Sequence, residues 1–290
     1  MYKIENEELL VEFQLLGAQM RRLKSKTKDK DYLWHGDAKY WKRSAPILFP
    51  IVGRLKNDEY EIDGKKYKLS QHGFARDKDF ELREKKEESI LFRLIYSQAT
   101  LEVYPFKFEL YIEYSLNKNM VEIEYRVKNI DERDIYFSIG AHPAFYWPLD
   151  KDLSKEDYIL EFEQPENLKI HLLNEAGLLK NQSKEFLKNS RTIELKEELF
   201  AADALIFKTT ESQSISLKSQ LSNSEVKLNF TSFPYLGIWS KAKGAPFICI
   251  EPWYGIADSV DSEGDLKNKE GIIRLKKEAE FSCQHSIEIK

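Results

Sequence analysis

The sequence predicts an all-β protein: one contiguous domain over residues 1–290, built as a large sandwich of antiparallel sheets. The main observation is an apolar–polar alternation of period two over long stretches, the spacing that sends successive side chains to opposite faces of a sheet. Long helical periodicity is scarce. No Pro/Gly/Ser-rich linker, fixed-period repeat or low-complexity block divides the chain.

In chain order, Tyr60 and Ile62 are separated from Tyr67 and Leu69 by Asp63-Gly64, a pair that tolerates the positive φ angles of a tight turn, so a hairpin is expected there. A strand follows at Ile90 to Tyr96. Phe108, Leu110, Ile112 and Tyr114 then alternate with Glu109, Tyr111, Glu113 and Ser115. Val121, Ile123, Tyr125 and Val127 alternate with Glu122, Glu124, Arg126 and Lys128. With Asn117 to Asn119 between them, these runs are expected to form an antiparallel pair. Further strands are expected at Tyr158 to Phe162, Leu205 to Lys208, Ile215 to Leu217, Val226 to Phe230 and Phe247 to Ile250. Lys180 to Leu199 is the best helical candidate, and its charges fit a solvated connection equally well.

A hydrophobic content of 42% is enough for a substantial core, which excludes disorder as the main state. The 45 basic and 49 acidic residues nearly cancel, leaving −4, so no general attraction to nucleic acid or an anionic membrane is expected. Lys3, Glu5, Glu7, Glu8 and Glu12 interrupt any signal-peptide core and no later apolar run reaches spanning length, so a soluble cytoplasmic protein is expected. Cys249 and Cys283 lack paired zinc-site spacing and are read as packing residues. The histidines at 35, 72, 142, 171 and 285 are scattered, and no phosphate loop, dinucleotide fingerprint, nucleophile elbow or His-Glu-x-x-His is present. Neither a metal nor another cofactor is expected.

What remains is polar side chains placed where strands end. Ala45 to Gly53 is an apolar run that delivers Arg54, whose rigid fork of donors suits hydroxyls or anions, although a surface arginine beside a turn would look the same. In Gln71-His72-Gly73-Phe74-Ala75-Arg76, glycine permits close backbone approach to a ligand or simply a tight turn. Around His142, Pro143 disfavours helix, Gly140 and Ala141 leave space before the ring, and Phe145 and Trp147 could stack on a sugar or belong to the core. Imidazole titrates near neutrality, which suits acid–base work. Finally, the strand from Phe247 ends in Glu251, with Pro252 expected to stop it and Trp253 beside it. A desolvated carboxylate is a better base near neutral pH, and a buried salt bridge is the competing account.

Over nearly its whole length the chain resembles the aldose 1-epimerase (galactose mutarotase-like) family, in particular its LacX-like bacterial branch. Gly53-Arg54, His72-Gly73, His142 and Glu251-Pro252-Trp253 carry the likeness, in this order. The resemblance implies a β-supersandwich and cofactor-free interconversion of α and β sugar anomers. Glu251 would be the general base and His142 the general acid, with His72, Arg54 and Asp203 holding a small-molecule sugar. His72 to Arg76 is also similar to the hexose-6-phosphate branch, but Lys42-Arg43-Ser44-Ala45-Pro46 stands where that branch has Arg-Gly-Gly before a proline. A free aldohexose is therefore the expected substrate, with Arg76 as a further contact and a 6-phosphate as the alternative. A non-catalytic carbohydrate-binding protein would use the same aromatics without a perturbed carboxylate, and a glycoside hydrolase would need Glu251 and Asp203 as a flanking pair.

Overall fold

The computed structural model describes residues 1–242 and 244–290. Its regular secondary structure is almost entirely strand, arranged in large antiparallel sheets. A 9-stranded sheet runs in the order Ser190–Glu194, Tyr158–Glu166, Ser214–Ser219, Glu225–Asn229, Glu280–Ile289, Met120–Asn129, Phe108–Asn117, Ser89–Ile95 and Glu81–Lys85. A 6-stranded sheet places Phe247–Tyr254 between Tyr235–Trp239 on one side and the short strands Ile139–Ala141 and Ala144–Tyr146 on the other. Leu205–Lys208 and Ile47–Leu48 complete it, and a 4-stranded sheet is formed by the N-terminal segment. The α-helix Gln98–Leu101 is a single turn capped by Ser97.

Both expected hairpins form. Asn117 pairs with Met120, and Asp63 and Gly64 take φ of 52° and 74° between Glu59–Ile62 and Lys65–Lys68. In Phe108–Asn117 and Met120–Asn129 buried and half-exposed residues alternate, as the period-two pattern requires. One apolar core, contributed by residues from Ile4 to Ile289, fills the space between the sheets.

Two expectations are corrected. Lys180 to Leu199 is not helical: Leu179–Glu185 and Ser190–Glu194 are strands, followed by a 3-10 turn at Glu197–Phe200. Ile193 and Leu195, two positions apart, are both buried, and Asn189 turns the chain with φ of 47°, so burial has the period of a strand. Pro252 does not stop its strand, which continues to Tyr254. The Ile250 N–H points to the Pro143 carbonyl, so two residues on the Pro252 nitrogen faces the same side, where the neighbouring chain breaks between Ile139–Ala141 and Ala144–Tyr146. No ladder donor is needed there.

The Phe247–Tyr254 strand is buried on both faces, and its alternation positions the site. Ile248 and Ile250 enter the main core, while Phe247, Cys249 and Trp253 join smaller clusters on the opposite face. Glu251 shares that second face.

Candidate active site

Glu251 lies opposite Gly237 in the strand register, and Trp253 folds over that glycine. A methyl group on Gly237 would sit 2.3 Å from the Trp253 ring, and one on Gly140 would sit 2.6 Å from it. Gly140 therefore makes room for this indole and not, as its sequence position suggested, for the His142 ring. Ala141 likewise joins the main core. Trp253, Glu251 and His142 all line a cavity of about 770 Å³, within the usual range of small-ligand sites.

His142 is held between two short strands, with its Nε2 3.1 Å from Glu251 Oε2. The approach is close, but its angle lies outside hydrogen-bond geometry, and Glu251 Oε2 and His142 Nδ1 are buried without hydrogen-bond partners among the described residues. Such atoms carry a desolvation cost of about 1–3 kcal/mol each, which a hydroxyl-bearing ligand can relieve at the carboxylate. Burial, reinforced by the charge of Asp203, pushes the Glu251 carboxyl well above its usual range. Burial, reinforced by Arg76, holds the His142 imidazole well below its usual value. Both shifts disfavour charge, so the pair favours a neutral carboxyl beside a neutral imidazole.

His72 has φ of 65° and exchanges two hydrogen bonds with Gly53. Its N–H donates to the Gly53 carbonyl at 2.8 Å, and its Nδ1 accepts from the Gly53 N–H at 3.1 Å. The ring is therefore fixed with Nε2 as its donor. Burial also lowers its basicity, so it meets a ligand as neutral imidazole. Gly73 serves chain packing: a methyl there would sit 2.3 Å from the Phe49 carbonyl oxygen, so the close approach is to this backbone and not to a ligand.

Arg76 lines the cavity and donates to the Gln71 carbonyl at 2.6 Å, while its buried Nε lies 3.8 Å from Asp77 and makes no hydrogen bond among the described residues. Burial and the neighbouring Arg43 lower its pKa to about 10. Arg43 is itself engaged with Asp77 at 2.8 Å. Asp203 stands at the exposed rim, with φ of 89° and its carboxylate accepting from the Ala204 N–H. Arg54 is not among the lining residues. Its guanidinium lies 3.8 Å from Asp58 and against Gly177, and its carbonyl accepts from the Asp258 N–H.

The aromatic wall differs from the sequence expectation. Phe145 and Trp147 are 0% exposed and belong to the core. Beside the expected Trp253, the cavity is lined by Phe200, by Trp41, 4.8 Å from the His142 ring, and by Trp239, 5.8 Å from it in an edge-on arrangement. Trp239 sits in an unforeseen strand, and nothing local to Trp41 marks it. Also missed was the ribbon Lys169–Leu173 with Leu179–Glu185, whose connecting turn supplies Asn174, Glu175 and Gly177 to the cavity. Cys249 packs in a small buried cluster, as expected, and its sulfur, a His142 nitrogen and a Glu251 oxygen all lie within 4.8 Å of one another.

An antiparallel β-supersandwich carrying this buried pair below a tryptophan-walled cavity defines a galactose mutarotase-like protein. A galactose mutarotase related enzyme from Lactobacillus acidophilus is 38% identical, superimposes with a TM-score of 0.95 and is matched over 97% of its length and 100% of this chain. A galactose mutarotase-like protein from Lactobacillus casei is 31% identical, with a TM-score of 0.94 and 100% of both chains covered. The chain belongs to the aldose 1-epimerase family, whose model matches residues 1–274. Protein LacX of Lactococcus lactis is 36% identical over 281 residues, 94% of each chain.

Proposed function

We propose that this protein is an aldose 1-epimerase that interconverts the α and β anomers of a free aldohexose. The observation that carries the reading is the Glu251–His142 pair, 3.1 Å apart at a cavity large enough for a hexose. Anomer exchange requires a group that removes the C1 hydroxyl proton and one that protonates the ring oxygen. The opened aldehyde turns about C1–C2 and recloses on its other face. In the forward direction Glu251 is the base and His142 the acid, and they exchange roles on closure. Because one shared proton serves both, every turnover returns the pair to its starting state. Each transfer catalysed in this way contributes ~10²–10⁴-fold.

Neutral His72 and the Arg76 guanidinium supply donors to hydroxyls, Asp203 accepts from them at the rim, and Trp253 offers an apolar face. Arg54 acts from the mouth, where its ion pair with Asp58 can be exchanged for a hydroxyl contact. Lys180 stands exposed at the rim, but the other three cations near the cavity are engaged, which supports the preference for an unphosphorylated sugar. Arg76 is tied to Gln71, Arg43 to Asp77, and the Lys241 ammonium to the Tyr40 carbonyl. A phosphate would have to displace these partners.

The test is anomer exchange by NMR on glucose, galactose and their 6-phosphates, with an aryl glycoside as the hydrolysis control. Acceleration with free hexoses and no aglycone release is expected. A ten-fold higher kcat/KM for a phosphorylated sugar, about 1.4 kcal/mol, that disappears in Arg76→Ala would overturn the substrate assignment. No acceleration with any sugar, in a folded sample that binds them, would leave a binding protein.

A further inference from the structure

We propose that Cys249, His142 and Glu251 form a binding site for a thiophilic divalent cation, zinc being the ion that fits, and that its occupancy blocks sugar turnover. The blocking half rests on His142 and Glu251 being the reacting pair; the site itself does not. Cys249 and Glu251 are two residues apart on one strand and so share a face, while His142 arrives from the neighbouring chain break. One ligand atom from each lies within 4.8 Å of the others, and the residues are 0%, 1% and 7% exposed for Cys249, Glu251 and His142. The Glu251 carboxyl has its Oε2 buried without a hydrogen-bond partner among the described residues.

The donor set selects the metal. A thiolate, an imidazole and a carboxylate suit zinc with one position left open, whereas magnesium and calcium prefer shells of oxygen. His142 and Glu251 line the sugar cavity and Cys249 lies behind them, so the ion enters through that cavity. Coordination displaces the thiol proton and the proton shared by the pair, and it occupies the lone pairs that would move the sugar's protons. Zinc is thus an inhibitor that competes with the sugar, not a participant in the reaction.

The experiment uses the full chain, stripped with chelator and titrated with cobalt(II) as a spectroscopic substitute. Expected are tetrahedral visible bands and a near-ultraviolet sulfur-to-cobalt charge-transfer band at one ion per chain, both abolished by zinc. Cys249→Ser and Cys249→Ala should lose the charge-transfer band, and Cys283→Ser should keep it. Zinc should slow anomer exchange, chelator should restore it, and saturating sugar should protect. Relative to each protein's own metal-free rate, the zinc concentration for half inhibition should rise at least ten-fold in the Cys249 variants. Absence of the band, its persistence in both folded Cys249 variants, or acceleration by zinc would overturn the proposal. A cobalt band in a protein that turns over no sugar would sink the catalytic reading and the inhibitory role while leaving the site. Exchange activity without the band would sink the site alone.

Discussion

At the scale of single residues, the site depends on two groups whose charges are both disfavoured by burial. Glu251→Gln keeps the shape of the side chain but cannot accept the anomeric proton, and His142→Asn removes the partner. Each should lower exchange by ~10²–10⁴-fold with sugar affinity largely retained, measured by NMR exchange and calorimetry. Near-wild-type exchange in a folded Glu251→Gln sample would remove the base assignment. The direction of the pH dependence follows from the same burial. At acid pH a second proton on the pair creates a buried cation, and His142 is held below its usual 6.5, so the acid limb should lie below that value. At alkaline pH losing the shared proton leaves a buried anion, and Glu251 is raised above its usual 4.5, so the alkaline limb moves upward. The rate profile should be a broad bell, flat through neutrality, with limbs that belong to the pair and not to either residue. An acid limb at or above pH 6.5 would contradict this account.

At the scale of elements, the strand containing Glu251 is held by what its neighbours omit. Gly237 lies beneath Trp253 with no space for a β-carbon, and its φ is not in the left-handed region, so Gly237→Ala is a steric test with little backbone contribution. Overpacking should cost about 1–3 kcal/mol of stability and displace the indole. Lowered Tm, altered tryptophan emission and a raised KM should appear together. An unchanged KM would mean that Trp253 does not contact the sugar. Trp253 could be named from its place beside Glu251, but the glycines that admit it could not, because its ring reaches across two neighbouring strands.

At the scale of the whole molecule, the cavity walls come from distant parts of the chain and are tied by a buried ion pair. Lys269 and Asp258 meet at 2.9 Å, with each side chain 3% exposed. The Lys269 ammonium also donates to the Ile256 carbonyl at 2.6 Å, and Asp258 accepts from the Lys56 N–H through its side chain and from the Leu179 N–H through its carbonyl. Lys269→Met would leave a buried uncompensated carboxylate and should cost about 3–5 kcal/mol, measured by urea unfolding. Lys269→Met with Asp258→Leu should recover much of that loss. A double variant no more stable than Lys269→Met alone would show that the pair's backbone contacts, not its charges, hold the walls together.

The sequence by itself determined the all-β class, both hairpins and the segments that bring His72, His142 and Glu251 to the cavity. Alternation of period two reports burial locally, and glycine, proline and aspartate report local backbone geometry. The closure of His142 onto Glu251, the choice of Trp41 and Trp239 over Phe145 and Trp147 as site aromatics, and the place of Cys249 beside the pair were decided only in three dimensions. So was the folding of Lys180 to Leu199 as strands, because its buried positions are defined by the sheet edge they meet. The physical reason is common to all of these. A residue's own neighbours set the direction of its side chain, but what it meets there depends on strand register, and register is a relation between segments far apart in the chain.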